Sequence, residues 1–95
     1  MRYGWIITHD YIDTDAVGTV GPRGISDKDR LYLDGGRGHR FRLYDDDGGL
    51  YYAGLFIGDP ASEEGFAPLD DFGAPNAGAV RIDYYNRATR RWEML

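Results

Sequence analysis

Apolar and polar residues alternate along three stretches of the chain. In the first, residues 2–8, the side chains of Tyr3, Trp5 and Ile7 fall on one side. A period of two, with aromatic and β-branched residues, is typical of a strand that buries one face. The pattern therefore predicts an N-terminal strand over residues 2–8.

The other two stretches have the form of β-hairpins. One pairs residues 39–44 with residues 50–57 around an Asp-Gly turn, and the other pairs residues 80–85 with residues 90–94. An Asp-Gly pair supplies the positive φ that tight hairpin turns require. Residues 50–57 are apolar on both faces, which is typical of a central strand covered on both sides.

A short helix is predicted between the N-terminal strand and the first hairpin. Ser26 suits the N-cap position, and Asp27 and Asp29 place negative charge in the first turn, where the helix dipole favours it. The glycine pair 35–36 ends the helix. Residues 17–20 are predicted to add a short strand.

These elements predict an α+β fold: an antiparallel sheet of about five strands, built from two hairpins and the N-terminal strand, with one short helix. A length of 95 residues predicts a single domain over residues 1–95. The predicted core is drawn from the strands with the clearest alternation and consists of Trp5, Phe41, Leu43, Phe56, Ile57, Ile82 and Trp92.

Residues 58–78 do not alternate. They are rich in glycine, proline and acidic residues, so we expect a long ordered loop with at most one helical turn near Leu69. Phe66, Leu69 and Phe72 are predicted to hold this loop against the core.

Composition excludes several classes of protein. The chain has no cysteine, which excludes a disulfide scaffold and a thiolate metal site. Apolar residues make up 42% of the chain, which is too much for an intrinsically disordered protein. The apolar stretch at residues 4–7 is shorter than a signal peptide or a membrane span requires. We expect a cytoplasmic protein that makes no membrane contact.

Charge is distributed unevenly along the chain. The formal net charge is −5, and residues 43–80 hold eight of the sixteen acidic residues but none of the eleven Lys and Arg. A segment without cations projects negative potential, which favours a basic partner, although acidic residues also serve as turn formers and solubilising groups.

Metal chemistry is not predicted. The run Asp45-Asp46-Asp47-Gly48 differs from a calcium loop because its acids are consecutive and the twelfth residue from Asp45 is Phe56. Two histidines are too few for a typical zinc site. We therefore predict no metal and no cofactor.

Enzymatic and small-ligand alternatives rest on residue types alone. His9 and His39 are the two histidines, and they suit a small hydrolase or nuclease that uses them as acid and base. The fourteen aromatic residues also suit a small-ligand module with an aromatic pocket. No catalytic residue is assigned.

Arginine and aromatic residues are interleaved on the predicted strands, as in proteins that bind single-stranded nucleic acid. They include Arg40, Arg42 and Arg81, with Tyr85 and Trp92 nearby. The negative net charge argues against nucleic acid as a partner. We therefore interpret these residues as cross-strand Arg–Asp and Arg–Tyr pairs on a solvated sheet face.

Three runs of the chain resemble short uncharacterised proteins of bacteria and their phages. The runs are Gly4-Trp5-Ile6-Ile7-Thr8, Phe41-Arg42-Leu43-Tyr44-Asp45-Asp46-Asp47-Gly48 and Pro68-Leu69-Asp70-Asp71-Phe72-Gly73. In size and acidity the chain is also similar to phage-encoded inhibitors of host defence, such as anti-CRISPR proteins. This resemblance implies an inhibitor or adaptor encoded by a phage or mobile element, and it transfers no site residue.

The leading hypothesis is a small acidic protein-binding domain without catalytic activity. The expected partner is another protein with a basic surface, because clustered carboxylates and tyrosines suit such an interface. The residues predicted to form the partner-binding face are Asp45, Asp46, Asp47, Tyr51, Glu63, Glu64, Asp70 and Asp71.

Overall fold

A computed structural model describes residues 3–95 of the chain. Six strands form one antiparallel sheet in the order β2-β1-β4-β3-β5-β6. The strands are β1 (Gly4–Asp10), β2 (Val20–Gly21), β3 (His39–Tyr44), β4 (Leu50–Ile57), β5 (Arg81–Asn86) and β6 (Arg91–Met94). The predicted α+β class and both hairpins are confirmed. The predicted start of the first strand, Arg2, lies outside the described residues.

The short helix α1 (Asp27–Asp34) forms where the capping pattern predicts it. The Ser26 hydroxyl accepts the backbone N–H of Asp29 at 3.1 Å, which satisfies one of the donors that a helix start leaves free. Gly35 caps the other end and donates its N–H to the Leu31 carbonyl at 3.0 Å. The helix buries Leu33 against the sheet.

Residues 63–77 are helical, so the prediction of a long loop is wrong. A 3-10 turn (Glu63–Phe66) leads into a π-helical stretch (Pro68–Gly73) and a final α-helical turn (Ala74–Ala77). Both prolines of this segment lie in the first turn of a helical piece, the position at which a helix best tolerates proline. Leu69 and Phe72 are buried as predicted, and their packing on the sheet compensates for poor local helix propensity.

The two faces of the sheet are covered differently. Segment 63–77 covers one face and encloses the main core, where the Phe72 ring lies 5.7 Å from Trp5 and 5.0 Å from Tyr52. On the opposite face, α1 packs on a smaller cluster at the β1–β4 end that includes Ile6 and Leu55. We call the remainder of that second face the open face. No helix in residues 3–95 is long and apolar enough to cross a membrane.

Five of the seven predicted core residues are buried: Trp5, Phe41, Leu43, Phe56 and Ile82. Ile57 and Trp92 are less completely buried than the other five, although most of each side chain is covered. Trp92 belongs to the edge strand β6 and pairs with Tyr85, whose side chain lies on the open face. No helix covers that part of the sheet, so solvent reaches the indole.

Candidate functional site

The acidic turn between β3 and β4 is built by one of its own carboxylates. Asp45 Oδ1 accepts the backbone N–H groups of Asp47 at 2.9 Å and Gly49 at 2.6 Å. This arrangement leaves Asp46 and Asp47 exposed at the end of the sheet. Partial burial raises the pKa of the neighbouring Tyr51 hydroxyl, and the charges of the turn, above all that of Asp45, raise it further.

The turn also brings its three carboxylates closer together than expected from consecutive acids. Ligand oxygens of Asp45, Asp46 and Asp47 lie within 4.8 Å of one another, a spacing at which one cation could contact all three. Calcium takes six to eight oxygen ligands, however, and Asp45 already accepts two backbone donors. The absence of a metal site therefore stays a prediction.

The other predicted acidic residues lie on segment 63–77, which is a separate element from the turn. Glu63, Asp70 and Asp71 are exposed, whereas Glu64 is half-buried and its Oε2 has no hydrogen-bond partner among residues 3–95. Phe66 is 38% exposed, so the prediction that it packs into the core is wrong. The predicted partner-binding face is therefore two separate surfaces. Asp45, Asp46, Asp47 and Tyr51 lie at the turn, and the other four acidic residues lie on segment 63–77.

The exposed side of segment 63–77 combines an aromatic ring with carboxylates. Glu63, Phe66 and Asp70 are separated by three and four residues, which places them along one side of a helix. Leu95 is also partly exposed and lies beside Gly65, next to Phe66 in the chain. A partly solvated apolar patch thus lies between two exposed acidic groups.

The opposite side of this segment is fixed to the sheet. The Tyr84 hydroxyl donates to the Gly65 carbonyl at 2.8 Å, and Leu69 and Phe72 are buried in the core. These contacts determine which side of the segment faces solvent. These contacts explain why residues 63–77 are ordered, as predicted, although they form helical turns instead of the predicted loop.

The open face carries the arginine and aromatic residues. The Arg42 guanidinium carbon lies 4.0 Å from the Trp92 ring centroid, and that of Arg40 lies 5.2 Å from Trp92 and 5.0 Å from Tyr85. Arg81 donates to both oxygens of Asp83 at 3.0 and 3.3 Å. The predicted cross-strand Arg–Tyr pairs are observed, as Arg40 with Tyr85 and Arg81 with Tyr44, whereas the Arg81–Asp83 pair lies within β5 and is not cross-strand.

The two histidines do not form one site. His9 pairs with Ala53 and His39 pairs with Phe56, and residues 53 and 56 point to opposite faces of β4 because side chains alternate along a strand. His9 lines a groove on the open face, and His39 lines a separate cavity of about 420 Å³. An acid–base pair of His9 and His39 is therefore not formed in this structure.

The cavity beside His39 is the place in this fold to which the small-ligand alternative would apply. It lies at the sheet end opposite the acidic turn and is lined by polar and aromatic groups, including His39, Asp59, Tyr32, Tyr84, Tyr85 and Arg87. The Tyr84 hydroxyl already donates to Gly65, so it is not free to bind a ligand.

The arginines of the open face were predicted to form surface pairs, but the groove that they line was not predicted. The signal was present in the alternation of Arg40 and Arg42 with Phe41 and Leu43, which places both cations on the face opposite the core. Comparison of the chain with protein-family models, with curated proteins and with solved structures finds no match in any of the three.

Proposed function

We propose that this protein is a non-catalytic protein-binding domain whose contact surface is the exposed side of segment 63–77. One observation carries the proposal: Phe66 is partly exposed between Glu63 and Asp70 on a segment whose other side is fixed to the sheet. Exposed aromatic residues are common among the residues that dominate interface energies. A contact surface that is already ordered costs less entropy to bind than a flexible loop.

Charge favours a basic protein as the partner. Residues 43–80 contain no Lys or Arg, so segment 63–77 and the acidic turn carry charge of the same sign. Complementary charge acts mainly on the association rate and weakens as salt increases. In its sharpest form the proposal is an inhibitor that occupies the anion-binding surface of its partner. It keeps the cytoplasmic location that the sequence predicts.

Site-specific photo-crosslinking tests the contact surface directly. A benzophenone side chain is introduced at position 66 and, as a matched control, at Val17, which is 62% exposed in another part of the fold. In a bacterial lysate, we expect position 66 to give a discrete protein adduct that position 17 does not give. Identical adducts from both positions, or no adduct from position 66, would contradict the proposed surface.

The captured partner then allows a test of the acidic groups. Changing Glu63, Glu64, Asp70 and Asp71 to their amides should slow association and flatten its salt dependence, while the melting temperature changes little. The control removes the same number of charges elsewhere, at Asp13, Asp15, Asp27 and Asp34. Equal slowing in both variants would indicate a net-charge effect without a defined acidic face.

A further inference from the structure

The open face contains a groove that the acidic surface does not involve. Its floor is Ala53 on β4, and the register places His9 of β1 on one side of Ala53 and Arg42 of β3 on the other. Adjacent strands are about 4.8 Å apart, so the backbones on the two sides are separated by about 10 Å. The small Ala53 side chain leaves a groove of about 320 Å³ between them.

The groove is cationic although the protein is acidic. None of the residues that line it is Asp or Glu, whereas Arg40, Arg42 and Arg87 are among them. The nearest carboxylate in register is that of Asp83, opposite Arg42 on β5, and Arg81 already holds it with two hydrogen bonds. Within residues 3–95, neither Arg40 nor Arg42 forms a salt bridge. Their charges are therefore available to a ligand.

Trp92 holds these two guanidinium groups. Both guanidinium carbons lie over its ring, at 4.0 Å from the centroid for Arg42 and 5.2 Å for Arg40. Such stacking restricts the motion of the arginine side chain but leaves its N–H groups able to donate hydrogen bonds. No side chain or carbonyl in the described part of the chain accepts a hydrogen bond from either guanidinium. A pair of restrained guanidinium groups with free donors suits a phosphate group, which they bind through charge-assisted, often bidentate bonds.

The other wall of the groove presents flat rings. The rings of His9 and Tyr11 are stacked, with centroids 5.9 Å apart and planes 10° apart. The Thr8 hydroxyl is within hydrogen-bond distance of the Ala53 carbonyl, at 3.3 Å, and of His9 Nδ1, at 2.9 Å, and the imidazole tautomer determines which atom of the Thr8–His9 pair donates. These contacts restrict the imidazole orientation. The wall therefore offers a stacking surface for a planar ring opposite the phosphate-binding arginines.

We propose that this groove binds a mononucleotide, with its phosphate on Arg40 and Arg42 and its base against the His9–Tyr11 ring pair. The groove volume is at the low end for small-molecule sites, which suits one nucleotide. The net charge of −5 repels a polyanion at long range, which disfavours an extended single strand. This proposal is independent of the surface on segment 63–77.

Titration with AMP, followed by NMR of the arginine Nε–Hε groups, tests the proposal. We expect AMP to shift the Arg40 and Arg42 signals and to bind more tightly than adenosine or inorganic phosphate, each of which supplies half of the contacts. Arg42→Gln or Arg40→Gln should weaken AMP binding about ten- to a hundredfold, the effect of losing a charged hydrogen bond. The control Arg23→Gln removes an exposed arginine outside the groove and should leave binding unchanged.

A further variant separates the two halves of the site. Tyr11→Leu should weaken binding of AMP but not of inorganic phosphate, because only the base contacts the ring pair. Unshifted Arg40 and Arg42 signals at millimolar AMP, or equal weakening by Arg23→Gln, would overturn the proposal. A glutamate-rich peptide or an oligothymidylate that shifts the Arg40 and Arg42 signals and binds more tightly than AMP would overturn the assigned ligand class. Amide spectra of each variant show whether it is folded.

Discussion

The hydroxyl of Tyr84 on β5 donates a hydrogen bond of 2.8 Å to the backbone carbonyl of Gly65 in segment 63–77. Burial raises the pKa of Tyr84 far above its ordinary value, so the hydroxyl stays protonated and remains a donor. Gly65 is needed at this position because a Cβ atom would collide with the Pro60 carbonyl oxygen. The contact determines where the helical segment begins on the sheet, and thus which side of Phe66 faces solvent.

Removal of the Tyr84 hydroxyl should destabilise the protein. Tyr84→Phe keeps the ring and its edge contacts with Phe41 and Phe56 but leaves the buried Gly65 carbonyl without its donor. We expect a loss of about 1–3 kcal/mol in the free energy of unfolding, measured with urea. The control Tyr32→Phe removes a hydroxyl from an exposed ring on α1 and should have little effect. A Tyr84→Phe variant as stable as the control would contradict this role.

Phe56 and Phe66 should respond differently to truncation because their burial differs. Phe56 is fully buried between Tyr3 and Tyr84, so Phe56→Ala should cost about 3–5 kcal/mol in unfolding free energy. Phe66 is partly exposed, and Phe66→Ala should cost much less, within about 1 kcal/mol. Chemical denaturation of both variants checks the difference. Comparable losses would mean that Phe66 belongs to the core, which would remove the basis of the proposed contact surface.

The carboxylate of Asp10 should make stability depend on pH. Burial acts to raise the pKa of Asp10, but hydrogen bonds from the backbone N–H groups of Ala16, Ile12 and Thr14, and from the Thr14 hydroxyl, outweigh it and lower the pKa. A carboxyl group with a lowered folded-state pKa stabilises the fold above its unfolded pKa. That stabilisation is lost as the pH falls through the folded-state pKa.

The variant Asp10→Asn tests this dependence. The stability difference between the wild type and Asp10→Asn should be fully present at neutral pH and should shrink as the pH falls below 3.8, the ordinary pKa of an aspartate. Urea unfolding at pH 7 and pH 3 measures it. Asp13→Asn is the control, since Asp13 is an exposed aspartate close to Asp10 in the chain. A difference that stays constant between the two pH values would show that the charge of Asp10 contributes nothing.

The N-cap of α1 should contribute measurably to stability. Ser26→Ala removes the acceptor for the Asp29 N–H and should cost about 0.5–2 kcal/mol in unfolding free energy. Ser26→Asp keeps a capping oxygen and should recover most of that loss. Thermal or urea unfolding of the pair measures the effect, and an unstable Ser26→Asp variant would indicate that the site needs the hydroxyl for a different reason.

The secondary-structure elements that depend on residues close together in the chain could be predicted from the sequence. Alternation over residues 39–44 and 50–57 predicted the first hairpin, and the Ser26 and Gly35 capping positions predicted the bounds of α1. These elements were predictable because strand period, turn chemistry and capping are local properties. Burial of Phe41 and Phe56 followed from the same alternation.

Other features of the fold depend on contacts between residues that are far apart in the chain. Segment 63–77 is helical because Leu69 and Phe72 pack on the sheet and Tyr84 reaches Gly65, whereas its prolines and glycines indicate a loop when read alone. Trp92 is solvated because its strand lies at the sheet edge, beyond the cover of α1. The groove exists because strand pairing places His9 and Arg42, which are 33 positions apart in the chain, on either side of Ala53. No local pattern specifies that pairing, since register arises from the packing of the whole sheet.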